Sequence, residues 1–105
     1  MLFRSNKIQV HLEKHGYGVV RELVGHGVGE NLHEDPAVPN YGKYNSGLVL
    51  AEGMTLAIEP MSTLGKRDVY LEDNDWTVST QYGLPSAHYE NTVLITKDGV
   101  EILTL

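Results

Sequence analysis

The chain has 105 residues, no cysteine, and a net charge of −6 from 8 basic and 14 acidic side chains. This length accommodates one domain with a modest core, and the lack of cysteine excludes disulfides and thiolate metal ligands. Without a dense basic run, neither nucleic acid nor an anionic membrane is a suitable partner. No apolar run approaches the ~18 residues of a membrane span, and no charged-then-apolar leader opens the chain, so we expect a cytoplasmic protein.

A helix is predicted over residues 1–15, where apolar side chains recur among polar ones until a glycine ends the pattern. Two histidines of this helix, His11 and His15, lie one turn apart, a spacing that can hold a metal ion. An exposed pair of this kind is more often simply solvated. We therefore expect His11 and His15 to be solvated rather than to bind a metal ion.

Residues 17–24 contain three valines and a tyrosine, and they predict a strand that delivers His26 at its end. His26 lies within Gly25-His26-Gly27-Val28-Gly29, whose glycines can adopt positive φ and bring the imidazole close to a neighbouring segment. His33 follows, constrained by the prolines at 36 and 39. Two well-held imidazoles predict a site. Two solvated histidines in a glycine-rich turn are the alternative.

This glycine-rich segment matches neither of two common ligand-binding motifs. The dinucleotide fingerprint needs a third glycine where Glu30 stands, and Pro36 interrupts the helix that would receive a pyrophosphate. The helical zinc-protease motif needs a second histidine where Ala37 stands. Both interpretations are therefore excluded.

Two later strands each carry a carboxylate. Residues 54–61 are mostly apolar around Glu59, and residues 86–96 place Glu90 before a run rich in β-branched residues. A carboxylate within an apolar strand is unfavourable unless a positive charge neutralises it. We therefore expect both glutamates to face a cation.

The remaining segments predict loops and hairpins. Residues 37–50 are rich in proline, asparagine, glycine and serine, which indicates an ordered loop. Residues 69–82 alternate as a hairpin does, with a solvated turn at Asp73-Asn74-Asp75. A calcium loop is disfavoured there, because the glycine and the terminal glutamate of an EF-hand are missing. Asp98-Gly99 predicts a second hairpin. The fold class is therefore α+β, a mostly antiparallel sheet with an N-terminal helical stub.

The order of these motifs resembles one enzyme family. The motifs are GHGVG at 25–29, LHEDPAVPNYG at 32–42, GMTLAIEPM at 53–61, Trp76, SAHYENTV at 86–93 and the closing EILTL. Together they are similar to the second half of a type I methionine aminopeptidase, a metal-dependent enzyme of the pita-bread fold. The resemblance implies that residues 1–105 form the C-terminal half of such a catalytic domain, with the first half absent.

The resemblance also implies roles for individual residues. His26, Glu59 and Glu90 match metal ligands, with Glu90 bridging two divalent ions that activate a water molecule. Glu59 would accept the proton of that water, and His33 would hydrogen-bond the scissile peptide. Trp76 matches a tryptophan near the substrate pocket, and a core position in its hairpin is the alternative.

The chain departs from the family's pattern in its ligands and their neighbours. Nothing in it matches the first half of the family's chain, which supplies two aspartate ligands and another histidine. His88 stands where glutamine is usual and Asn91 where histidine is usual, and both flank Glu90. Two metal ions carry four positive charges, whereas Glu59 and Glu90 supply only two negative ones. We therefore expect at most one divalent ion here, of cobalt, manganese, iron or zinc, held by His26 and the two glutamates.

The implied function is removal of the N-terminal methionine from nascent proteins, with this chain by itself an incomplete, inactive or weakly active part. Its partners would be the N-terminal peptides of those proteins and either the missing half or a second copy of the chain. A second copy is expected because the strands at 54–58 and 93–95 should expose an apolar face that the missing half normally covers. A non-catalytic, protein-binding pseudo-enzyme of the same fold and an inactive folding fragment are the alternatives.

Overall fold

In a computed structural model, which describes residues 5–105, the chain forms one helix and ten short strands. The helix, α1, spans Ser5–Lys14. The strands, in chain order, are β1 (Tyr17–Val19), β2 (Gly25–Gly27), β3 (Glu34–Val38), β4 (Thr55–Ile58), β5 (Met61–Leu64), β6 (Val69–Leu71), β7 (Val78–Thr80), β8 (Ser86–His88), β9 (Asn91–Thr96) and β10 (Gly99–Ile102). All strand pairs among these residues are antiparallel, which confirms the α+β class. Among residues 5–105, no helix is long and apolar enough to cross a membrane.

The helix α1 agrees with the predicted helix within the described residues, and positions 1–4 of that prediction lie outside them. Gly16 ends the helix, because its φ of 84° is left-handed, a conformation that glycine adopts without strain. Two hydrogen bonds attach the helix to the loop that follows β3. Asn6 Nδ2 donates to Gly42 O at 2.8 Å, and Gly42 N donates to Gln9 Oε1 at 3.0 Å. These hydrogen bonds hold α1 against the loop after β3.

The strands form two sheets and a separate hairpin. The five-stranded sheet has the order β10-β9-β4-β2-β3, the three-stranded sheet has the order β1-β5-β8, and β6 pairs with β7. Three segments carry the chain from one sheet into the other: residues 20–24 between β1 and β2, Glu59-Pro60 between β4 and β5, and Tyr89-Glu90 between β8 and β9. We refer to these three segments as the sheet junction.

The sheet junction corrects three strand predictions. Residues 17–24, 54–61 and 86–96 are each predicted to contribute one continuous strand, but every one of them ends or divides where the chain changes sheets. Pro60 explains one of the breaks, because it has no N–H with which to continue the ladder. The broken strands nevertheless remain aligned across the junction, since Tyr89 N donates to Pro60 O at 3.3 Å.

The core lies between the five-stranded sheet and the layer formed by α1 and the loop after β3. Its buried centre consists of Val38, Leu56, Val93 and Ile95. Partly buried side chains pack against this centre: Ile8, Leu48, Leu50, Met54 and Ile58. The expectation that the strands at 54–58 and 93–95 expose an apolar face is therefore wrong. Helix and loop cover that face, and Leu56 at its centre is only 1% exposed.

Both predicted hairpins are confirmed. In the hairpin of β6 and β7, Asn74 Oδ1 accepts hydrogen bonds from the backbone N–H groups of Trp76 at 3.0 Å and Thr77 at 2.9 Å. This side chain therefore stabilises the turn. In the second hairpin, Gly99 pairs with Thr96 at the start of β10, and the Thr96 hydroxyl donates to Gly99 O at 3.1 Å.

Candidate metal centre

His26 lies at the centre of β2, where glycines on both sides allow neighbouring strands to approach closely. A Cβ atom on Gly25 would lie 2.2 Å from Ala57 O, and a Cβ atom on Gly27 would lie 2.2 Å from Asp35 O. No side chain fits in those gaps, so glycine is required for packing. The prediction that positive φ explains these glycines is wrong, because neither adopts it. His26 also lies within a strand rather than at the end of the preceding one.

A bulge in the neighbouring strand shapes the other side of His26. His26 pairs with Ala37, whereas the next residue, Gly27, pairs with Glu34, so two residues of β3 are extra. His33 stands just before β3, and its ring centroid lies 4.1 Å from that of His26. His33 is exposed. Both imidazoles line an open cavity of about 660 Å³.

The backbone of β2 orients the imidazole of His26. Its Nδ1 atom lies 2.9 Å from Gly27 O and donates to that carbonyl when it carries the proton. In that tautomer Nε2 has a lone pair, and it faces Glu59 Oε2 at 3.0 Å. Metal-binding histidines use this arrangement, because the backbone carbonyl fixes both the tautomer and the orientation of the ring.

Glu59 and Glu90 both lie in the sheet junction, on breaks that face each other. One donor atom from each of His26, Glu59 and Glu90 can be chosen so that all lie within 4.8 Å of one another. The Glu59 side chain is 12% exposed and that of Glu90 is 43% exposed. The backbone of Glu59 is held by Asn40, a fully buried side chain whose Nδ2 donates to Glu59 O at 3.4 Å. Sequence reasoning missed Asn40, because a polar residue in a loop carries no local sign of burial.

Burial raises the pKa of Glu59 above its ordinary value of 4.5. The negative charge of Glu90 and a hydrogen bond with that carboxyl raise the pKa further, while His26 and His88 act in the opposite direction. Two carboxylates this close repel each other unless a proton or a cation lies between them. The donor set therefore fits a divalent cation, since one imidazole nitrogen and two carboxylates converge with a combined charge of −2.

His88 and Asn91, the two residues at which we expect a departure from the family's pattern, have different contacts. His88 Nε2 lies 3.8 Å from Glu59 Oε1 and 3.8 Å from Glu90 Oε2. Asn91 Oδ1 instead accepts a hydrogen bond from Thr104 Oγ1 at 2.9 Å. The first departure therefore touches the carboxylates, whereas the second holds the C-terminal segment.

The other predicted residues lie away from this cluster. Trp76 is in the turn between β6 and β7 and is 86% exposed, which excludes the alternative of a core position. His11 lies on α1 and His15 directly follows that helix, with ring centroids 4.9 Å apart, but Nδ1 of His15 lies 2.8 Å from His11 O. That nitrogen is occupied by the backbone. In residues 5–105 these two histidines belong to no group of three or more possible metal ligands.

Comparison with known proteins identifies the family to which this arrangement belongs. The sequence pattern of metallopeptidase family M24 matches residues 5–97. The chain belongs to this family. This M24 chain is 57% identical over 101 residues to the methionine aminopeptidase of Clostridium acetobutylicum, and 51% identical over 100 residues to methionine aminopeptidase 1 of Bacillus subtilis. The alignments include 96% and 95% of this chain but 40% of each relative.

A solved structure shows the same fold. The crystal structure of the methionine aminopeptidase from Thermotoga maritima matches with a TM-score of 0.93 at 50% identity, covering 98% of this chain and 43% of that one. The predicted resemblance to methionine aminopeptidases and to one part of the pita-bread fold is confirmed. Membership of a metallopeptidase family also supports the predicted use of divalent metal. The chain spans about 40% of the length of the curated relatives that it matches.

Proposed function

We propose that this chain is part of a methionine aminopeptidase, which removes the N-terminal methionine from nascent proteins. The observation that carries the proposal is the convergence of His26, Glu59 and Glu90 in a chain of family M24. The relatives described above, each matched over nearly the whole chain, are methionine aminopeptidases. A cytoplasmic location belongs to the same proposal, because nascent chains emerge there.

Each residue of the cluster has a chemical role in this proposal. His26, Glu59 and Glu90 would hold a divalent cation, which when bound would supply Lewis-acid chemistry that polarises a peptide carbonyl and activates water. Glu59, whose side chain is largely buried, accepts the proton of the attacking water. His33 stands beside His26 at the open cavity and donates a hydrogen bond to the peptide as its carbonyl carbon becomes tetrahedral.

The substrate side of the site has two candidate surfaces. An apolar cavity of about 290 Å³ is lined by residues that include Val20, Leu23 and Met61, and His88 connects it with the two glutamates. Concave apolar surfaces of this size suit the side chain of a bound peptide. Trp76 is assigned to peptide contact as well, because its exposed indole can pack against a ligand.

A chimeric enzyme tests this function directly. In the Clostridium acetobutylicum methionine aminopeptidase, the segment that aligns with this chain over 101 residues is replaced by the chain itself. The chimera should release methionine from a Met-Ala-Ser peptide, and Glu59→Ala should abolish the release. A folded chimera that binds metal but leaves methionine in place would contradict the proposal and support the non-catalytic, protein-binding alternative.

The 105-residue chain by itself should release methionine slowly at best with Co²⁺, Mn²⁺ or Fe²⁺. Its cluster contains two carboxylates, which balance the charge of one divalent ion. Further ligands would come from the rest of a catalytic domain or from a second copy of the chain, and these are the proposed partners. Fast turnover by the purified chain that is lost in Glu59→Ala would show that the chain is complete enough to act alone.

A further inference from the structure

His88 lies beside the cluster of His26, Glu59 and Glu90, and the proposed function leaves it without a chemical role. Its Nε2 atom lies 3.8 Å from Glu59 Oε1 and 3.8 Å from Glu90 Oε2, and its side chain is 46% exposed. His26 faces the other oxygen of Glu59, Oε2, at 3.0 Å. The two imidazoles therefore approach the same carboxylate through its two different oxygens.

The register of the three-stranded sheet places His88 at this position. His88 pairs with Met61 where β8 meets β5. Met61 stands two residues after Glu59, and Glu90 stands two residues after His88. Because side chains two residues apart in extended chain project to the same side, the pairing directs all three polar groups toward one point. The backbone, rather than the choice of one rotamer, brings His88 to the carboxylates.

We infer that His88 is a metal ligand, so that one divalent cation is held by two histidines, His26 and His88, and two glutamates, Glu59 and Glu90. This inference rests on the proposed function, since it concerns the same cluster. A tetrahedral cation with bonds of about 2.0–2.2 Å keeps its ligand atoms roughly 3.3–3.6 Å apart. The separations of 3.0 Å and 3.8 Å in the cluster lie on either side of that range. His88 lies outside the group of donor atoms that are within 4.8 Å of one another, so its ring must move toward the ion, and its 46% exposure leaves room for that movement.

This set of donors favours a particular kind of metal. The two carboxylates balance the charge of one divalent ion, and the two imidazole nitrogens suit zinc, whereas manganese prefers oxygen ligands. Glutamine at this position would offer an amide oxygen instead. His88 therefore shifts the preference of the site toward zinc.

Counting the histidine ligands tests the inference without reference to activity. X-ray absorption spectroscopy of the zinc-loaded 105-residue chain should show two imidazoles per zinc, and His88→Gln should show one. Calorimetry should find one zinc per chain, with an affinity that His88→Gln lowers about tenfold or more. The affinity for Mn²⁺ should change less than about threefold. His15→Gln, which removes an exposed histidine directly after α1, should change neither value.

The outcomes separate this inference from the proposed function. One imidazole per zinc in the unmodified chain, or equal zinc affinity in His88→Gln, would overturn the role of His88. If zinc binding then still depends on His26 and Glu59, the proposed metal centre stands. If the unmodified chain binds no zinc, the role of His88 and the proposed metal centre are both contradicted. Should His88→Gln fold poorly, the imidazole count on the unmodified chain still decides, as does His88→Gly, in which added free imidazole should restore zinc affinity.

Discussion

The two sheets of this protein differ in how completely they are buried. In the five-stranded sheet, Leu56, Val93 and Ile95 are at most 6% exposed beneath α1 and the loop after β3. In the three-stranded sheet, Val19 of β1 and Thr63 of β5 are buried, but all of β8 is exposed and Leu64 of β5 is 49% exposed. The candidate metal centre lies where the buried sheet meets the open one.

This difference separates the residues that stabilise the fold from those that meet a ligand. The buried sheet holds β2 and β4, and with them His26 and the start of the junction at Glu59, in a fixed position. The open sheet leaves His88 half-exposed beside an apolar cavity. A binding site needs both a rigid support and access from solvent. Substitutions in the two regions should therefore have different effects.

The largest effect on stability is expected in the buried sheet. Leu56→Ala removes a fully buried side chain from the centre of the core and should lower the free energy of unfolding by about 2–5 kcal/mol. Leu64→Ala, in the open sheet, should lower it by roughly 1 kcal/mol or less. Urea denaturation of both variants measures the contrast. Equal losses would show that the two sheets contribute equally to one core.

A smaller loss, accompanied by a change in metal binding, is expected at the glycines beside His26. Gly25→Ala forces a Cβ atom against Ala57 O and should cost about 1–3 kcal/mol while displacing His26. Gly29→Ala is the matched control, because its Cβ would meet only the flexible Glu34 carboxylate. Urea denaturation and zinc calorimetry should both separate the two variants. Identical behaviour would mean that close packing at Gly25 does not position His26.

Glu59, in the sheet junction, should destabilise the metal-free fold at neutral pH. Burial raises the pKa of Glu59 in the folded state, so ionising this group is less favourable in the folded chain than in the unfolded one. No penalty exists below the unfolded pKa, and stability is lost as the pH rises through the folded pKa. Glu59→Gln should therefore gain stability at about pH 7 and little at about pH 4.

Urea denaturation in EDTA at several pH values measures this gain. Glu101→Gln removes the same charge from the exposed strand β10 and so controls for the change in net charge. A gain for Glu59→Gln that does not depend on pH would show that its ionisation is not the cause.

The smallest effect is expected outside both sheets. Trp76→Ala removes a large side chain that is 86% exposed, so the free energy of unfolding should change by less than about 0.5 kcal/mol. Zinc affinity should not change either. In the chimeric enzyme, however, the KM for the Met-Ala-Ser peptide should rise, because Trp76 is assigned to the substrate. An unchanged KM would remove Trp76 from the proposed site.

Features that depend on a few neighbouring residues could be predicted from the sequence. Gly16 ends α1 and Asp98-Gly99 forms a hairpin turn, because these conformations are set by local backbone preferences. The breaks in the strands at Glu59-Pro60 and Tyr89-Glu90 could not be predicted equally well. Their position depends on which strands lie opposite, and the composition of a single segment does not contain that information.

By itself, the sequence determined the fold class and the family resemblance, because both rest on local patterns and on the order of short motifs. A histidine among glycines and carboxylates in apolar strands are also visible locally, and the resemblance marked His26, Glu59 and Glu90 as candidate ligands. Only the tertiary structure decided how these groups meet. They are far apart along the chain and converge because the chain changes sheets at the junction. The same convergence places Asn40 behind Glu59 and His88 against both carboxylates, which are contacts made through space that no local pattern encodes.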